Sequence, residues 1–362
     1  MNAAEFRAEF PVLERVAFLN AGTDGPVPRR AAEAAARQVE HEAEAGRAGA
    51  PHFMRVIELA NGVRERLAAL IGCAPEEVAL TRSTTDGMNT VVAALELGPG
   101  DEVLTSDEEH PGLLAALGLA RERRGVQVRV APFGEIAAAV GPATKLVACS
   151  HVSWVSGRIA DTAALAAADA LVLLDGAQGL GAIPARVEEL GCDFYGAAGQ
   201  KWLCGPEGSG CLYVRRELAG ELLAPWPSFV ALADPERALE LPLQDGARRF
   251  DQGPSGPLAA WSLAALDLLG ELGWDTVFER GPALATRLAE ELAERGAELP
   301  ERGPTTLVSW RSEDPEGEVA RLAAVGVVVR KLPGRGMVRA SVGAWSNEDD
   351  LERLLAARDS GH

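Results

Sequence analysis

Short apolar runs alternate with longer segments of helical periodicity up to about residue 270. The apolar runs have the length of buried strands and are bounded by Gly, Pro, Ser and Thr turns. The strand candidates are 77–81, 102–105, 126–130, 145–150, 171–175 and 211–214. Helical patterning covers 28–46 and 52–71 and returns between the later strands. This alternation predicts an α/β fold in which helices cover both faces of a mostly parallel sheet.

The pattern changes after about residue 270. A long amphipathic helix is predicted over 274–295, and a last helix is predicted to begin at Asn347 with Asp350 as its capping partner. Short strands are expected between them at 306–310, 327–332 and 337–342. We therefore predict three parts, which are an N-terminal segment (1–17) that packs with the small domain, a large domain (18–270) and a small α+β C-terminal domain (271–362).

Composition narrows the function without identifying it. The 362 residues include 35 Lys and Arg against 53 Asp and Glu, which gives a formal charge of −18. So acidic a chain is a poor ligand for nucleic acid or an anionic membrane, and neither is expected as a partner. We find no signal-peptide pattern and no apolar run long enough to cross a membrane. The five cysteines form no Cys-x-x-Cys pair and are interpreted as reduced thiols of a cytoplasmic protein.

Lys201 follows a run of small residues and is closed by the turn Gly205-Pro206. Apolar neighbours lower the pKa of a lysine by desolvation, which frees its amine to attack a carbonyl. Asp175 ends the apolar run 171–174, where it is placed either to cap the strand or to pair with a pyridinium nitrogen. A Schiff-base lysine with an acidic partner for a ring nitrogen is typical of pyridoxal 5'-phosphate (PLP) enzymes. An exposed surface lysine is the alternative, and the apolar flanks disfavour it.

Other polar residues also follow predicted strands, where parallel sheets bind their ligands. The segment 82–87, Arg-Ser-Thr-Thr-Asp-Gly, opens a helix whose N–H and hydroxyl groups suit a phosphate. Taken alone, such a motif is more often a Ser/Thr helix cap. His110 is suited to stack on a cofactor ring or relay a proton, and an exposed loop histidine is the alternative. Gln178 is placed to hydrogen-bond a ring hydroxyl.

Three motifs together resemble the class V aminotransferase family of fold type I PLP enzymes. They are Asp-Gly-Ala-Gln at 175–178, Asp-Phe-Tyr at 193–195 and Gly-Gln-Lys-Trp-Leu-Cys-Gly-Pro-Glu-Gly-Ser-Gly at 199–210. The family includes cysteine desulfurases, selenocysteine lyases, isopenicillin N epimerase, kynureninase and sulfoxide C–S lyases. Segments 18–22 and 338–341 resemble its N-terminal loop and C-terminal strand, so the resemblance covers nearly the whole chain. It implies a fold type I PLP-dependent transferase, PLP as cofactor, and a homodimer with shared active sites.

The resemblance implies a role for each motif residue. Lys201 forms the aldimine with PLP and carries the substrate α-proton, and Asp175 pairs with the pyridine nitrogen. The other implied cofactor contacts are Gln178 at the ring oxygen, Thr84 and Thr85 at the phosphate, His110 on the ring face, and Gln200. The implied substrate contacts are Arg339 as a bidentate clamp for the α-carboxylate, with Asn20 and Trp154 on the substrate side. Ser255 is expected to reach the phosphate of the neighbouring subunit.

Three features depart from the cysteine desulfurase pattern. Gln200 stands where many desulfurases have His, and Trp154 stands where they have an Asn near the ring hydroxyl. Desulfurases also carry a nucleophilic cysteine on a loop before the arginine strand, whereas residues 327–338 contain none. The missing thiol argues against persulfide transfer to the protein by that route.

The predicted reaction is C–S bond cleavage of a cysteine-type α-amino acid, either desulfurase-like or as the β-elimination of a sulfoxide C–S lyase. A sulfinate, sulfenate or thiolate leaving group needs no catalytic cysteine. Aminotransferase and epimerase reactions begin with the same proton abstraction, so the motifs do not separate them from elimination. A remote alternative is a non-catalytic PLP-binding partner protein, which the intact set of motif residues disfavours.

Overall fold

A computed structural model describes residues 1–360, which fold around a seven-stranded sheet and a smaller three-stranded sheet. The helices are α1 (Ala3–Ala8), α2 (Arg29–Ala45), α3 (Gly49–Ile71), α4 (Thr84–Ala94), α5 (Pro111–Arg124), α6 (Thr162–Ala166), α7 (Val187–Leu190), α8 (Arg216–Ala219), α9 (Gly256–Leu272), α10 (Trp274–Glu294), α11 (Pro315–Ala324) and α12 (Glu348–Asp359). The strands are β1 (Ala17–Phe18), β2 (Val78–Thr81), β3 (Glu102–Ser106), β4 (Gln127–Ala131), β5 (Thr144–Ser150), β6 (Leu171–Asp175), β7 (Phe194–Ala198), β8 (Gly210–Val214), β9 (Leu307–Arg311), β10 (Val327–Val328), β11 (Arg330–Leu332) and β12 (Met337–Ser341).

The large sheet has the strand order β2-β8-β7-β6-β5-β3-β4. Strand β8 is antiparallel to both of its neighbours, and the pairs from β7 to β4 are all parallel. Because parallel neighbours need a crossover connection, helices lie between most of these strands in the chain. The predicted α/β fold with a mostly parallel sheet is confirmed.

Alternate residues of each central strand enter different hydrophobic cores. On β6, Val172 and Leu174 belong to a core with helices α3 and α9, whereas Leu173 belongs to a core with α4 and α5. Strand β5 shows the same division, with Val147 on the first side and Ala148 on the second. A strand that buries both faces reads as a continuous apolar run, which is why these strands were visible in the sequence.

The C-terminal part forms its own antiparallel sheet, in the order β11-β12-β9. The predicted single strand 327–332 is wrong, because Val329 separates β10 from β11 and the two pair with different partners. Strand β10 pairs in parallel with β1, so Phe18 lies opposite Val328 rather than in the large sheet. The N-terminal segment also reaches this part of the fold through an ion pair between Arg7 and Asp350 (2.7 Å). The domain boundaries themselves stay predictions.

Two helix boundaries follow from local chemistry. Asn347 caps α12, and its side chain and that of Asp350 complete the predicted capping box. Gly273 alone separates α9 from α10, with a φ of 95° that favours glycine. Within residues 1–360, no helix combines the length and apolar character needed to cross a membrane.

Candidate active site

A cavity of about 320 Å³ lies beyond the carboxyl ends of β6 and β7, between the large sheet and the strands β11 and β12. It gathers nine of the side chains predicted from the sequence, although they come from distant parts of the chain. These are Thr84, Thr85, His110, Trp154, Asp175, Gln178, Gln200, Lys201 and Arg339. The position agrees with the rule that open α/β sheets bind ligands at the carboxyl ends of their strands.

The loop that carries Lys201 is fixed by backbone contacts. The Gly205 N–H donates to the Gly199 carbonyl (2.9 Å), which closes the loop, and the Gly25 N–H donates to the Gln200 carbonyl (2.7 Å). Gly25 has to be small, because a Cβ at that position would lie 2.1 Å from the Lys201 carbonyl oxygen. The segment around Gly25 therefore helps to hold the lysine in place.

Lys201 and Asp175 both line the cavity, and burial shifts their pKa values in opposite directions. Burial lowers the pKa of Lys201 to about 8, with Asp175 opposing that shift and Arg339 and Arg330 adding to it. Burial raises the pKa of Asp175, and the neighbouring Lys201 works in the other direction. One Asp175 oxygen accepts the Ala177 N–H (2.9 Å). The pair supplies an amine that is partly neutral near pH 8 and a buried carboxylate that a cationic ring nitrogen would stabilise.

Arg339 lies on β12 and is fully buried. Its Nη1 donates to the Trp154 carbonyl (2.8 Å), whereas Nε and Nη2 have no partner in the part of the chain that the structure describes. Gly22 lies against this guanidinium, since a Cβ there would come within 2.6 Å of Nη2. Nε and Nη2 form one edge of the planar group, which matches the two oxygens of a carboxylate. Leaving such donors buried and unpaired is costly, so the edge is built for a ligand.

Thr84 and Thr85 begin helix α4 directly after the cap residue Ser83, whose hydroxyl accepts the Asp86 N–H (3.1 Å). The motif is therefore a helix cap, and it also presents the first free N–H groups of α4 at the cavity. Within residues 1–360, the buried Thr84 hydroxyl and the side-chain oxygen of Gln200 have no hydrogen-bond partner. These groups fit the expected phosphate end of PLP.

Gln178, His110 and Trp154 form the rest of the wall. The Gln178 amide donates to the Gly22 carbonyl (2.8 Å) and accepts from the Trp202 indole (3.1 Å), which fixes its orientation. His110 caps α5, with its Nδ1 accepting the Gly112 N–H (3.1 Å), and its ring meets that of Trp154 edge-on at 5.6 Å. Burial lowers the pKa of His110 to about 4, and Lys201 and two arginines add to the effect. His110 is thus neutral at pH 7, with its remaining proton on Nε2.

The residues present fit PLP. An accessible amine of lowered pKa, a buried carboxylate, an unpartnered hydroxyl at a helix N-terminus and a free guanidinium edge all line one cavity. Each of these features matches one part of the cofactor or of an amino-acid substrate. Their roles remain predictions from the sequence that the geometry accommodates.

Two predicted site residues lie elsewhere. Asn20 does not line the cavity, because its side chain accepts the hydroxyl of Thr23 (2.9 Å) and its backbone bridges to Ser341. Thr23 lines the cavity in its place. Ser255 is exposed and lines a separate cavity of about 320 Å³ together with Arg82 and Gly208.

The sequence interpretation gave no role to two charged residues of the cavity, Asp24 and Glu207, and favoured a solvated basic loop over an acidic-tail binding site for the run 330–335 that contains Arg330. Arg330 lies directly opposite Arg339 in the β11–β12 pairing, and its Nη1 donates to the Thr23 hydroxyl (3.0 Å). Its place in the cavity was not predicted, because the run 330–335 has the composition of an exposed basic loop. Asp24 follows the Asn-Ala-Gly-Thr loop, and its proximity to Lys201 depends on the loop contact at Gly25.

Glu109 was also missed, since it looks like part of an exposed acidic run. It is 2% exposed and accepts hydroxyl hydrogen bonds from Ser106 (2.5 Å) and Ser150 (2.6 Å) at the ends of β3 and β5. Ser150 pairs with Asp175 across β5 and β6, so two carboxyl groups approach each other beneath the cavity. Burial raises the pKa of Glu109 to about 7 against the opposing serine hydrogen bonds, and Asp175 adds to the increase.

We expect Glu109 to make stability depend on pH. Because its pKa is higher in the folded state, its contribution is complete below about pH 4.5 and is lost as the pH rises through about 7. The loss amounts to about 3 kcal/mol of unfolding free energy. Urea unfolding between pH 5 and 8 should show this decline in the wild type and not in Glu109→Gln, which keeps the shape of the side chain. An identical pH dependence in both proteins would refute it.

Comparisons with known proteins identify the family of this chain. The sequence profile of the family described as aminotransferase class V matches residues 16–354. A cysteine desulfurase of Salmonella gallinarum is 30% identical over 318 residues, which cover 80% of this chain and 77% of the relative. Isopenicillin N epimerase of Streptomyces clavuligerus is 28% identical over 381 residues, which cover 95% and 94% of the two chains.

The structural comparison points the same way. The cystine C–S lyase C-DES, solved in complex with its reaction product cysteine persulfide, superposes with a TM-score of 0.90 at 26% identity and covers 96% of this chain and 98% of its own. A mutant of C-DES carries glycine covalently linked to its PLP cofactor and also gives a TM-score of 0.90. The fold is thus that of the fold type I PLP enzymes, and the chain belongs to the class V aminotransferase family.

Proposed function

We propose that this protein is a PLP-dependent enzyme that cleaves the C–S bond of a cysteine-type α-amino acid. The observation that carries the proposal is the presence of Lys201 and the free edge of Arg339 in one cavity. An amine of lowered pKa opposite a carboxylate receptor is what an enzyme acting at the α-carbon of an amino acid requires. The relatives named as cysteine desulfurase and cystine C–S lyase support sulfur chemistry.

Each residue then has a defined task. When bound, PLP supplies an electron sink for charge that develops at the substrate α-carbon. Arg339 binds the α-carboxylate, which fixes the α-carbon relative to Lys201. The Lys201 amine takes the α-proton, and Asp175 keeps a positive charge on the ring nitrogen. Thr84 and Thr85 bind the phosphate at the start of α4.

The cysteines favour elimination over transfer of sulfur to the protein. None of the five lines the cavity, and the turn between β11 and β12 contains no cysteine. Cys204 is the cysteine nearest to Lys201 in the sequence. Burial raises the pKa of its thiol far above the usual range, so this thiol is unreactive. The electron pair of the Cβ–S bond therefore leaves with the substrate sulfur, and the three-carbon fragment is hydrolysed to pyruvate and ammonium.

Epimerisation and transamination are the competing reactions. The relative named isopenicillin N epimerase supports the first, but epimerisation needs a second acid or base across the α-carbon from Lys201. His110 is the remaining candidate, and its Nδ1 is occupied by the Gly112 N–H while burial holds its pKa at about 4. This arrangement suits a ring that packs on the cofactor better than one that returns protons.

A homodimer in the cytoplasm is part of the proposal. Ser255 and Arg82 line a cavity adjacent to the active site, at Gly208–Gly210. A second copy that contributes Ser255 to the neighbouring phosphate would account for an exposed polar residue there. We expect Ser255→Ala to bind PLP more weakly than the wild type while remaining a dimer. Analytical ultracentrifugation of both proteins, combined with PLP titration, tests this contribution of Ser255.

Product analysis tests the reaction. The holoenzyme is mixed anaerobically with L-cysteine, L-cystine, cysteine sulfinate, S-alkylcysteine sulfoxides and L-alanine, and pyruvate and sulfur species are assayed. We expect pyruvate with an equal amount of released sulfur from at least one sulfur substrate. Conversion of PLP to pyridoxamine phosphate without pyruvate from the sulfur substrates would replace elimination by transamination. Loss of optical activity in recovered substrate would indicate epimerisation.

A further inference from the structure

The cavity holds charges that the proposed function does not use. Its acidic side chains are Asp24, Asp175 and Glu207, and its basic ones are Lys201, Arg330 and Arg339. The cofactor accounts for Lys201 and Asp175, and the α-carboxylate accounts for Arg339. Three charged residues of the cavity remain, namely Asp24, Glu207 and Arg330, and the Arg330 guanidinium donates to the Thr23 hydroxyl.

Asp24 and Glu207 line the same cavity, where Asp24 is half-buried and Glu207 is exposed. The Glu207 carboxylate contributes to raising the pKa of Asp24, second to burial, while Lys201 and Arg330 act in the opposite direction. Neither side chain makes a hydrogen bond or an ion pair with any residue in 1–360, although Asp24 is half-buried. Two neighbouring carboxylates that repel each other bind a cation favourably.

A second observation shows that this cavity takes an amino acid. Arg339 is fully buried and aims its unpartnered Nε and Nη2 at the same space. A ligand whose α-carboxylate lies on Arg339 and whose α-amine lies at Lys201 directs its side chain into the rest of the cavity. Asp24 and Glu207 line that remaining space together with Arg330, so the distal end of the side chain meets two carboxylates and one guanidinium.

We infer that Asp24 and Glu207 form a subsite for a distal ammonium group, so that the substrate is a cysteine S-conjugate whose sulfur substituent ends in an amine. The inference rests on the proposed C–S cleavage. Cysteine disulfides of the form R–S–S–CH2–CH(NH3+)–COO−, with an ammonium on R, belong to this class, and cystine is its symmetric member. A substituent without the ammonium leaves both carboxylates without a partner, which lowers its affinity.

The step balances without an external oxidant or reductant. The α-proton leaves to Lys201 and the Cβ–S bond breaks, with its electron pair going to sulfur as R–S–S−. The persulfide takes up a proton, and water converts the remaining aminoacrylate to pyruvate and ammonium. The ammonium on R takes no part in bond breaking, so the subsite acts on binding, and its effect falls mainly on KM.

Two isosteric probes isolate the ammonium. The mixed disulfide of L-cysteine with 2-aminoethanethiol carries it, and the mixed disulfide with 1-propanethiol replaces it by a methyl group. We expect the holoenzyme to prefer the first probe by about 10-fold in kcat/KM, mostly through KM. In the double variant Asp24→Asn, Glu207→Gln the ratio of the two values should approach one. The matched control is Glu122→Gln, an exposed carboxylate on α5 outside the cavity, which should keep the preference.

A binding measurement separates this inference from the proposed function. L-Lysine carries a distal ammonium and L-norleucine does not, and calorimetric titration of the holoenzyme compares their affinities without any C–S cleavage. Pyruvate from both probes at equal kcat/KM would overturn the subsite and leave C–S cleavage intact. No pyruvate from either probe or from any of the sulfur substrates named above would end the proposed function. In that case tighter binding of lysine that depends on the two carboxylates would uphold the subsite, and equal binding of the two ligands would reject it.

Discussion

Replacing Lys201 by alanine is expected to lower turnover by at least about 1,000-fold and to abolish covalent attachment of PLP. The amine is the group in the cavity whose pKa, about 8, allows it both to attack the cofactor carbonyl and to accept a proton near neutral pH. Attachment of PLP to the apo wild type should accelerate as the pH rises through about 8, because only the neutral amine is a nucleophile.

The chain provides matched controls for this variant, because Lys145 and Lys331 are its other two lysines. Borohydride reduction of the holoenzyme followed by peptide mass spectrometry should place the pyridoxyl group on the Lys201 peptide alone. Lys145→Ala and Lys331→Ala should retain the label and the visible absorbance of the cofactor. A labelled peptide other than that of Lys201, or full turnover by Lys201→Ala, would contradict the assignment.

The second large effect is expected at Arg339. Removing its side chain deletes two charge-assisted hydrogen bonds to the substrate carboxylate, so Arg339→Ala should raise KM by about 100-fold or more. Arg339→Ala should retain its PLP content, because the guanidinium is proposed to bind the substrate carboxylate and not the cofactor. The KM of Arg339→Lys should lie between those of the wild type and Arg339→Ala, since an ammonium keeps the charge without the planar edge.

Loss of structure is the competing explanation for such a change, because Arg339 is fully buried and its Nη1 bonds the Trp154 carbonyl. Thermal unfolding of each variant separates a folding defect from a binding defect. Arg311→Ala, an exposed arginine on the adjacent strand β9, serves as the matched control and should leave KM near the wild-type value. An unchanged KM in Arg339→Ala would eliminate the carboxylate clamp.

The sequence predicted six of the seven strands of the large sheet and missed β7, whose small residues resemble a loop before Lys201. Strand β6 begins and ends where the apolar run does, with Asp175 as the last residue. The capping pair of Asn347 and Asp350 was equally clear, because both partners lie within one turn. Features whose physical cause is local were therefore predictable from a single sequence.

The missed residues depend on contacts between distant segments. Arg330 enters the cavity through its register opposite Arg339, and that register follows from the break at Val329 that the continuous run 327–332 concealed. Glu109 looks solvated in sequence, but serines from two different strands supply its partners. Such long-range pairing leaves no periodic signal, which is why part of the cavity emerged only from the fold.

The identity of the three-carbon product is the most direct test of the central claim. The holoenzyme is mixed with L-cystine under anaerobic conditions, the reaction is quenched with acid, and pyruvate, alanine, ammonium and sulfane sulfur are quantified. Elimination without a protein thiol predicts pyruvate, ammonium and sulfane sulfur in equal amounts, and none of them in Lys201→Ala. Alanine as the three-carbon product, with sulfur bound to a cysteine of the protein, would contradict the account.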